Sequence, residues 1–138
     1  MSVASATIVD SNVLLDLLTG DPEWAAWSTN ALRDAGAVGA LVINPLVYAE
    51  VAPHFERVED QDDALPSDAF LREAVPWEAA FLAGRAFLAF RRRGGRRTTV
   101  LPDFLIGAHA AVRGYALLTR DPRRYRQHYP TVRLISPS

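Results

Sequence analysis

The chain has 138 residues, of which 49% are hydrophobic and 22% charged, a balance that predicts one folded domain over residues 1–138. Cysteine is absent, which excludes disulfides and thiolate metal sites. All 15 basic residues are arginine, which excludes reactions that need a lysine, such as Schiff-base chemistry or phosphate binding by a P-loop.

The net charge of −1 provides no overall attraction to nucleic acid, so the distribution of the arginines matters more than their number. No apolar run approaches the ~20 residues that a membrane-spanning helix needs. The N-terminal residues also lack the basic region of a secretory signal. We therefore expect a soluble protein of the cytoplasm.

The first predicted strand ends at an acidic residue. Residues 6–9 form an apolar, partly β-branched run typical of a buried strand, and Asp10 follows directly. Ser11 and Asn12 then open a second apolar run, residues 13–18, which predicts a helix. Asp10 thus falls at the carboxyl end of a strand, where open α/β sheets bind their ligands. A role as the N-cap of the helix explains Asp10 equally well, so this residue alone does not decide between the two interpretations.

A glutamate lies on the apolar face of the helix predicted after the second strand. Residues 38–43 are almost uniformly apolar and predict a central strand, which follows a helix that ends at Gly36. Asn44 and Pro45 mark the end of the strand and the start of the next helix. Glu50 lies on that helix among apolar residues at helical spacing, where an unpaired carboxylate is costly to bury. We therefore favour a site role for Glu50 over a solvated one.

The middle of the chain ends in a basic run. Residues 56–68 are acidic and predict an exposed loop, which leads into a short amphipathic helical segment over residues 70–74. The helix from Pro76 carries apolar residues around much of its circumference, which predicts that it is largely buried. It ends in arginines around a Gly-Gly pair, which fit either a helix C-cap or contacts with a polyanion. These arginines are Arg91, Arg92, Arg93, Arg96 and Arg97.

A third acidic residue opens a helix in the C-terminal part of the chain. Pro102 and Asp103 suit the first turn of a helix, where a carboxylate complements the positive end of the helix dipole. Small residues at 107–111 allow this helix to approach its neighbours closely, and Gly114 ends it. Residues 115–118 then predict another strand.

The segment after that strand combines a fourth acid with a second basic patch. Thr119 and Asp121 follow the strand immediately, although Asp121 before Pro122 also suits a helix N-cap. Residues 132–135 predict a final short strand at an edge of the sheet. The basic patch contains Arg123, Arg124, Tyr125 and Arg126.

The alternation of strands and helices predicts an α/β fold with a parallel sheet covered on both faces. Asp10 and Asp121 then lie at strand ends, while Glu50 and Asp103 lie on helices that can reach the same edge. Two like charges ~4 Å apart repel by about 4 kcal/mol at an effective dielectric constant near 20, so such a cluster needs a cation or raised pKa values. Carboxylate oxygens suit Mg²⁺ or Mn²⁺, and such ions can activate a water for phosphodiester hydrolysis.

Four segments resemble, in this order, the motifs of PIN-domain ribonucleases, and most closely those of VapC-type toxins from toxin–antitoxin pairs. The segments are IVDSN, NPLVYAEV, LPDFLIGAHA and LLTRDPRRY. The resemblance implies a three-layer α/β/α fold around a mainly parallel sheet. It also implies that an acidic quartet binds one or two Mg²⁺ or Mn²⁺ ions and that two polar residues support it. The quartet corresponds to Asp10, Glu50, Asp103 and Asp121, and the supporting residues correspond to Asn12 and Thr119.

The same resemblance implies an activity and partners. It implies endonucleolytic cleavage of RNA by metal-activated water, which leaves a 5′-phosphate and a 3′-hydroxyl. It also implies a homodimer and a cognate antitoxin whose C-terminal segment blocks the acidic cleft. The arginines of the two basic patches, including Arg123 and Arg124, would hold the RNA backbone without reading its sequence. Asp121 corresponds to a position that acts through a water as well as by direct ligation.

Other functions are compatible with acids at strand ends. Response-regulator receivers and haloacid-dehalogenase-type phosphatases share this arrangement, but both rely on a lysine, and the phosphatases have a second Asp where this chain has Asn12. A PIN-like module that binds RNA or protein without catalysis is the stronger alternative, and the complete quartet argues against it.

A few polar residues are expected to lie outside the site. We expect Asp16 to be exposed or paired within its own helix. The three histidines do not have the spacing of zinc ligands, so we expect structural or surface positions for them. They are His54, His109 and His128.

Overall fold

Five short parallel strands form one sheet within the residues that the structure describes, 5–94 and 101–137. They are β1 (Thr7–Val9), β2 (Leu41–Ile43), β3 (Phe70–Arg72), β4 (Ala116–Leu118) and β5 (Leu134–Ile135). Their order across the sheet of this computed structural model is β3-β2-β1-β4-β5. Ile8 in β1 pairs with Val42 in β2 on one side and with Leu117 in β4 on the other. The predicted parallel α/β architecture is therefore confirmed, and the final strand lies at an edge as expected.

Helices flank this sheet. They are α1 (Ser11–Thr19), α2 (Ala25–Val38), α3 (Pro45–Val51), α4 (Val58–Ala64), α5 (Trp77–Arg92), α6 (Leu101–Arg113) and α7 (Arg123–Arg126), and a 3-10 turn, Ala52–His54, follows α3 directly. Each connection between consecutive strands contains at least one helix, as parallel pairing requires. Over the described ranges, no helix is both long enough and apolar enough to cross a lipid bilayer.

The strand order creates a crevice at the carboxyl ends of β1 and β4. From β1 the chain adds β2 and β3 on one side, and it then adds β4 and β5 on the other. Doubly wound sheets bind their ligands where the direction of winding reverses in this way. Asp10 directly follows β1 and Thr119 directly follows β4, so residues that the sequence assigns to a site flank the crevice.

The central strands form the core through side chains on both faces. Ile8 and Val9 of β1, like Leu117 and Leu118 of β4, are fully buried. Because successive residues of a strand point to opposite faces, their burial shows that both faces of the sheet are covered. Each such side chain stabilises the fold by about 1.5–3 kcal/mol relative to an exposed one, which explains why these strands are continuous apolar runs.

Helix α6 lies deep in the core and packs closely against its neighbours. The Phe104 ring contacts the Phe87 ring of α5 at a centroid distance of 5.5 Å. On another side, Gly107 lies so close to the Tyr129 ring that a Cβ there would collide with it and would crowd Tyr125. The predicted close approach of this helix is confirmed. The missing side chain at Gly107 leaves the space that the rings of Tyr129 and Tyr125 occupy.

The second strand is shorter than predicted because the helix before it continues past Gly36. Helix α2 runs to Val38, and β2 begins only at Leu41, whereas the apolar run predicted a strand from residue 38. The helix ends instead at Gly39, whose extended backbone lies against the Ser5 carbonyl, so that a Cβ would collide with it. A close approach of two backbone segments sets this boundary, and local composition does not reveal it.

Two predictions for the acidic middle of the chain are wrong. Residues 56–68, predicted as a loop, contain helix α4, and residues 70–74, predicted as helical, contain strand β3. Glu59 lies in the first turn of α4, where it complements the helix dipole. Gln61 is buried and donates a hydrogen bond to the backbone carbonyl of Tyr48 at 2.8 Å. Tertiary contacts rather than hydrophobic periodicity determine both elements.

Helix α5 is largely exposed, which contradicts the prediction that it is buried. Its buried described residues are the small Ala79 and Ala83. The large side chains of Trp77 and Phe81 are 88% and 72% exposed. The helix therefore packs through its small residues and the partly buried Phe87 and Phe90. It presents Trp77 and Phe81 to solvent, an arrangement typical of a surface that contacts another molecule.

A buried polar network joins β3, α3 and α6. Nε2 of the buried His109 lies 2.8 Å from Oε1 of Glu73, and its Nδ1 lies 3.1 Å from Nδ2 of Asn44. Oδ1 of Asn44 already accepts from two backbone N–H groups of α3, so its amide must donate to His109. Nε2 is therefore the protonated nitrogen and donates to Glu73, which also accepts from the Tyr115 hydroxyl at 2.7 Å. His109 is thus structural, as expected.

Replacement of Glu73 by glutamine should destabilise the fold. Burial raises the pKa of Glu73, but hydrogen bonds from His109 and Tyr115 outweigh it and hold the pKa below its ordinary value. The carboxylate therefore stabilises the folded state above its ordinary pKa, and this contribution is lost as the pH falls through the lowered value. We expect Glu73→Gln to lower the free energy of unfolding by about 1–2 kcal/mol at neutral pH, measured by chemical denaturation. A difference that persisted unchanged at about pH 3 would contradict this explanation.

Candidate active site

Asp10 lies at the N-cap position of α1 but does not cap the helix. Its side chain makes no capping hydrogen bond within the described residues. Its Oδ2 instead accepts from the hydroxyls of Thr119 and Tyr125, each at 2.8 Å, and from the Asn12 amide at 3.4 Å. The interpretation of Asp10 as a helix cap is therefore wrong. Three donors hold one oxygen of a buried carboxylate at the carboxyl end of β1.

Ser11 connects Asp10 to Glu50. The Ser11 hydroxyl lies 3.0 Å from Oε1 of Glu50 and 3.5 Å from Oδ1 of Asp10. One hydroxyl proton serves one of these acceptors at a time, and the shorter distance assigns it to Glu50. Oδ2 of Asp10 accepts three hydrogen bonds from side chains, and Oδ1 makes this long contact with the Ser11 hydroxyl. The backbone N–H of Ser11 also donates to the Asp10 carboxylate. The Ser11 hydroxyl is therefore the group that lies between the carboxylates of Asp10 and Glu50.

Helices α3 and α6 bring two more carboxylates to this edge. Asn44 caps α3 by accepting from backbone N–H groups of its first turn, and Glu50 lies further along the same helix. Asp103 lies in the first turn of α6 and is 2% exposed. The charges of both Asp10 and Asp103 act on Glu50. Three acids from separate elements therefore share one electrostatic environment.

Arg124 links Asp121 to Asp103. Its Nε lies 3.1 Å from Oδ2 of Asp121, and its Nη1 lies 3.5 Å from Oδ1 of Asp103. The backbone N–H of Asp121 also donates to the Thr119 hydroxyl at 3.0 Å, and this hydroxyl in turn donates to Asp10. Asp121 is thus connected to the other acids through Arg124 and Thr119.

Burial and like charges raise the pKa values of two of these acids. Burial raises the pKa of Asp10, although hydrogen bonds from Thr119 and Tyr125 oppose the shift. Burial likewise raises the pKa of Glu50, and the charges of Asp10 and Asp103 add to this effect. Burial and the charge of Asp10 also raise the pKa of Tyr125 well above its ordinary value, so the phenol remains a donor. Negative charge is therefore in excess at this edge, which favours a cation.

The donor atoms of the site fit a hard divalent cation in their chemistry. Its acids supply carboxylate oxygens, which are the ligands that Mg²⁺ and Mn²⁺ prefer. In the described part of the chain, however, no three His, Cys, Asp or Glu side chains lie close enough together to hold one metal ion. The acids would have to close around such an ion, and their role as metal ligands stays a prediction.

The polar residues around the acids form a second layer of contacts. Oδ1 of Asn12 accepts from the backbone N–H of Arg120 at 3.2 Å. The Arg120 side chain pairs with Asp16 at 2.9 Å and lies over the Trp24 ring, 5.4 Å from its centroid. Asp16 is 2% exposed and also accepts from Ser28 of α2. The prediction that Asp16 is exposed or paired within its own helix is therefore wrong, because it anchors the connection after β4.

The predicted RNA-binding arginines differ in their surroundings. Those with exposed side chains are Arg91, Arg92, Arg93 and Arg123. Two others, Arg96 and Arg97, lie outside the described residues. Arg123 lies 3.9 Å from Asp121, and Arg124 differs from the exposed group because it is partly buried and contacts both Asp121 and Asp103.

The remaining histidines also occupy the positions that were expected of them. His54 is exposed at the end of the 3-10 turn. The His128 ring packs against Phe104 at a centroid distance of 4.8 Å and against Phe90 at 5.5 Å. Both are thus surface or packing residues.

Three contributions to the site were missing from the sequence analysis. Ser11 was taken only as a helix-opening residue, and serine is too common there to signal contact with a glutamate. Tyr125 and Arg124 were assigned to a basic, aromatic patch. Their direction depends on how α7 packs against α6, including the absence of a side chain at Gly107, and a basic tetrapeptide carries no signal of this packing.

The fold and the site together define an α/β protein with an acidic crevice at the winding reversal of a parallel sheet. The sequence profile of the PIN domain matches residues 7–128, which is most of the chain. The chain therefore belongs to the PIN domain family.

Solved structures share this fold. The chain is similar to VapBC2 from Rickettsia felis bound to a promoter DNA fragment, with a TM-score of 0.73 and 16% identity over 95% of this chain and 98% of that one. VapBC-1 from nontypeable Haemophilus influenzae gives a TM-score of 0.73 and 16% identity over 95% and 97%. A toxin–antitoxin complex from Klebsiella pneumoniae has a TM-score of 0.64 and 20% sequence identity, and the match covers 96% of this chain and 98% of that one. At these identities the likeness concerns the fold alone. No curated protein sequence matches the chain significantly.

Substitution of Asp10 by asparagine should stabilise the metal-free protein at neutral pH. The pKa of Asp10 is raised in the folded protein, so its ionisation costs more free energy there than in the unfolded chain. This destabilisation is absent below the ordinary pKa and is complete once the pH exceeds the raised pKa. Asparagine keeps an oxygen acceptor for Thr119 and Tyr125 without the charge. In chelator, we expect Asp10→Asn to raise the Tm by about 2–4 °C at pH 7, equivalent to about 1 kcal/mol, and to have little effect at about pH 4. A lower Tm at pH 7 would show that the charge carries no such penalty.

Proposed function

We propose that the protein is a metal-dependent endoribonuclease, the toxin component of a VapC-type toxin–antitoxin pair. The observation that carries this proposal is the shared electrostatic environment of three acids, in which burial raises the pKa of Glu50 and the charges of Asp10 and Asp103 raise it further. Repulsion of this kind does not stabilise a fold, so a bound cation is the simplest functional reason for it. Membership of the PIN domain family and the resemblance of the four sequence motifs support the same function.

The acidic quartet would hold the cation. Asp10, Glu50 and Asp103 would ligate it through their carboxylate oxygens, and Asp121 would contribute directly or through a water. An Mg²⁺ or Mn²⁺ ion bound there supplies a Lewis acid and a water of lowered pKa for phosphodiester hydrolysis. Cleavage would leave a 5′-phosphate and a 3′-hydroxyl.

Neighbouring side chains would keep these carboxylates in a productive orientation. Thr119, Tyr125 and Asn12 donate to Oδ2 of Asp10 and thereby hold the orientation of its carboxylate. The Ser11 hydroxyl fixes one oxygen of Glu50. Such supporting contacts typically change metal affinity or activity by about 10–100-fold when they are removed.

Exposed arginines would contact the RNA backbone. Guanidinium groups form bidentate hydrogen bonds with phosphates and position an RNA strand without reading its sequence. Arg123, whose side chain is 91% exposed, lies two residues after Asp121 and therefore next to the acids. The arginines at the end of α5 would extend this contact.

A cognate antitoxin and a second copy of the chain are the proposed protein partners. The similar Klebsiella pneumoniae structure is a toxin–antitoxin complex, which supports the first partner through fold similarity. Trp77 and Phe81 of α5 form an exposed apolar face that a partner can cover.

A PIN-like module that binds RNA or protein without catalysis is the alternative. The spacing of the acids favours it, because over residues 5–94 and 101–137 no three potential metal ligands lie close enough to share an ion. An assay that separates RNA binding from RNA cleavage distinguishes the two functions.

Cleavage of a 5′-labelled structured RNA by the purified, antitoxin-free chain tests the proposed activity. We expect cleavage only with added Mg²⁺ or Mn²⁺, and none in excess chelator. Asp103→Asn should reduce the cleavage rate by about 100-fold or more, because the ion loses a charged ligand. The rate of product formation at constant ionic strength is the measurement.

Asp63→Asn provides the matched control, because Asp63 is an exposed acid on α4. Its cleavage rate should stay within about twofold of the wild type, since surface substitutions away from special features have small effects. Retained cleavage by Asp103→Asn, or cleavage in chelator, would contradict the metal mechanism. RNA binding without cleavage under every metal condition would instead establish the non-catalytic module.

A further inference from the structure

Helix α7 carries two successive arginines that face different surroundings. The Arg123 side chain is 91% exposed, whereas that of Arg124 is 39% exposed. The Arg124 guanidinium lies 3.1 Å from Asp121 through Nε and 3.5 Å from Asp103 through Nη1. Arg123 lies 3.9 Å from Asp121 through its Nε but is largely solvated, whereas Arg124 is half-buried and contacts both Asp121 and Asp103.

The charge of Arg124 acts on all four acids of the candidate site. Burial alone would lower the pKa of Arg124, but the charges of Asp103, Asp10 and Asp121 raise it. In return, the charge of Arg124 opposes the rise in the pKa values of Asp10 and Glu50 that burial causes. The guanidinium is thus a counter-ion for the whole set of carboxylates rather than the partner of one.

A local ion pair does not account for this arrangement. Side chains three residues apart on a helix often pair, and such surface pairs contribute little, but that pairing requires only Asp121. Arg124 also reaches Asp103, which enters from α6 and is 2% exposed. A carboxylate buried this deeply requires compensation of its charge. The guanidinium therefore occupies the place of a cation between two elements that are distant in sequence.

We propose that Arg124 is an internal counter-ion that compensates the acidic edge in the metal-free protein and competes with a divalent cation for Asp103 and Asp121. This inference rests on the proposed function, in which such a cation binds these carboxylates. A guanidinium is always charged and can donate to two carboxylates at once, which suits it to this position. Binding of the cation requires Arg124 to give up at least one of these contacts. The released guanidinium is then available to a phosphate of the RNA, as the sequence predicts.

The affinity of the full chain for Mn²⁺, measured from the electron paramagnetic resonance signal of the free ion, tests this competition. Arg124→Gln removes the charge but keeps a polar side chain, so we expect it to bind Mn²⁺ about tenfold more tightly than the wild type. The same variant should have a lower Tm in chelator, because the acids lose their compensation. A merely structural role for Arg124 would instead weaken Mn²⁺ binding on substitution.

Two further variants serve as controls. Arg133→Gln removes the same charge from an exposed side chain that directly precedes β5, at the amino ends of the parallel strands and away from the acids, and should change the Mn²⁺ affinity by less than about twofold. Arg124→Lys keeps the positive charge and should stay within about threefold of the wild type, since the competition is electrostatic.

The wild-type chain offers a second measurement that does not depend on the folding of a variant. In nuclear magnetic resonance spectra, addition of Mg²⁺ should shift the Nε–H signal of Arg124 and accelerate its exchange with water, whereas the signal of Arg133, at the opposite edge of the sheet, should not change. An unchanged Arg124 signal with bound Mg²⁺, or equal or weaker Mn²⁺ binding by Arg124→Gln, would overturn the competition and leave the metal site intact. Mn²⁺ binding by Arg124→Gln but not by the wild type would support it. No binding by either protein would overturn both the competition and the proposed metal dependence.

Discussion

The burial of negatively charged carboxylates at one edge of the sheet is the constraint on which the rest of this structure depends. Asp10 is tolerated at the carboxyl end of β1 because Asn12, Thr119 and Tyr125 all donate to one of its oxygens. Those donors come from α1, from the connection after β4 and from α7, so a single carboxylate fixes the relative positions of three segments. The donors do not remove the charge penalty, since burial still raises the pKa of Asp10. The ionised site therefore carries an uncompensated cost of burial, which a bound cation can reduce.

The strand order explains why the acidic side chains meet at one edge of the sheet. Because β1 and β4 are neighbours in the sheet, their following residues meet although they are far apart in the chain. Two helices contribute the other acids: Asn44 caps the start of α3, which carries Glu50 near its end, and Asp103 lies in the first turn of α6. Gly107 then lets the ring of Tyr125 lie against α6, from where its hydroxyl reaches Asp10. Backbone geometry and packing thus determine the electrostatics of the site.

The sequence predicted those features that are encoded locally. Apolar runs that end at polar residues gave the parallel sheet and placed Asp10 and Thr119 at its carboxyl edge. Features that depend on contacts between distant segments could not be predicted. The burial of Asp16 requires Arg120 from beyond β4, and the end of α2 at Gly39 requires the Ser5 carbonyl. The exposure of α5 and the inward direction of Arg124 likewise depend on which face of a helix packs, and composition does not encode this choice.

A site-resolved pH titration of the carboxyl carbons of Asp10 and Glu50, by nuclear magnetic resonance, tests the central claim most directly. In the metal-free protein, the account predicts that both carboxyl groups titrate above their ordinary pKa values of 3.8 and 4.5. Added Mg²⁺ should lower both pKa values, because a cation stabilises the ionised forms. Ordinary or lowered pKa values in the metal-free protein would contradict the account, because burial would then not disfavour the ionised acids. Values that Mg²⁺ leaves unchanged would also contradict it, because no cation would then be bound near these carboxylates.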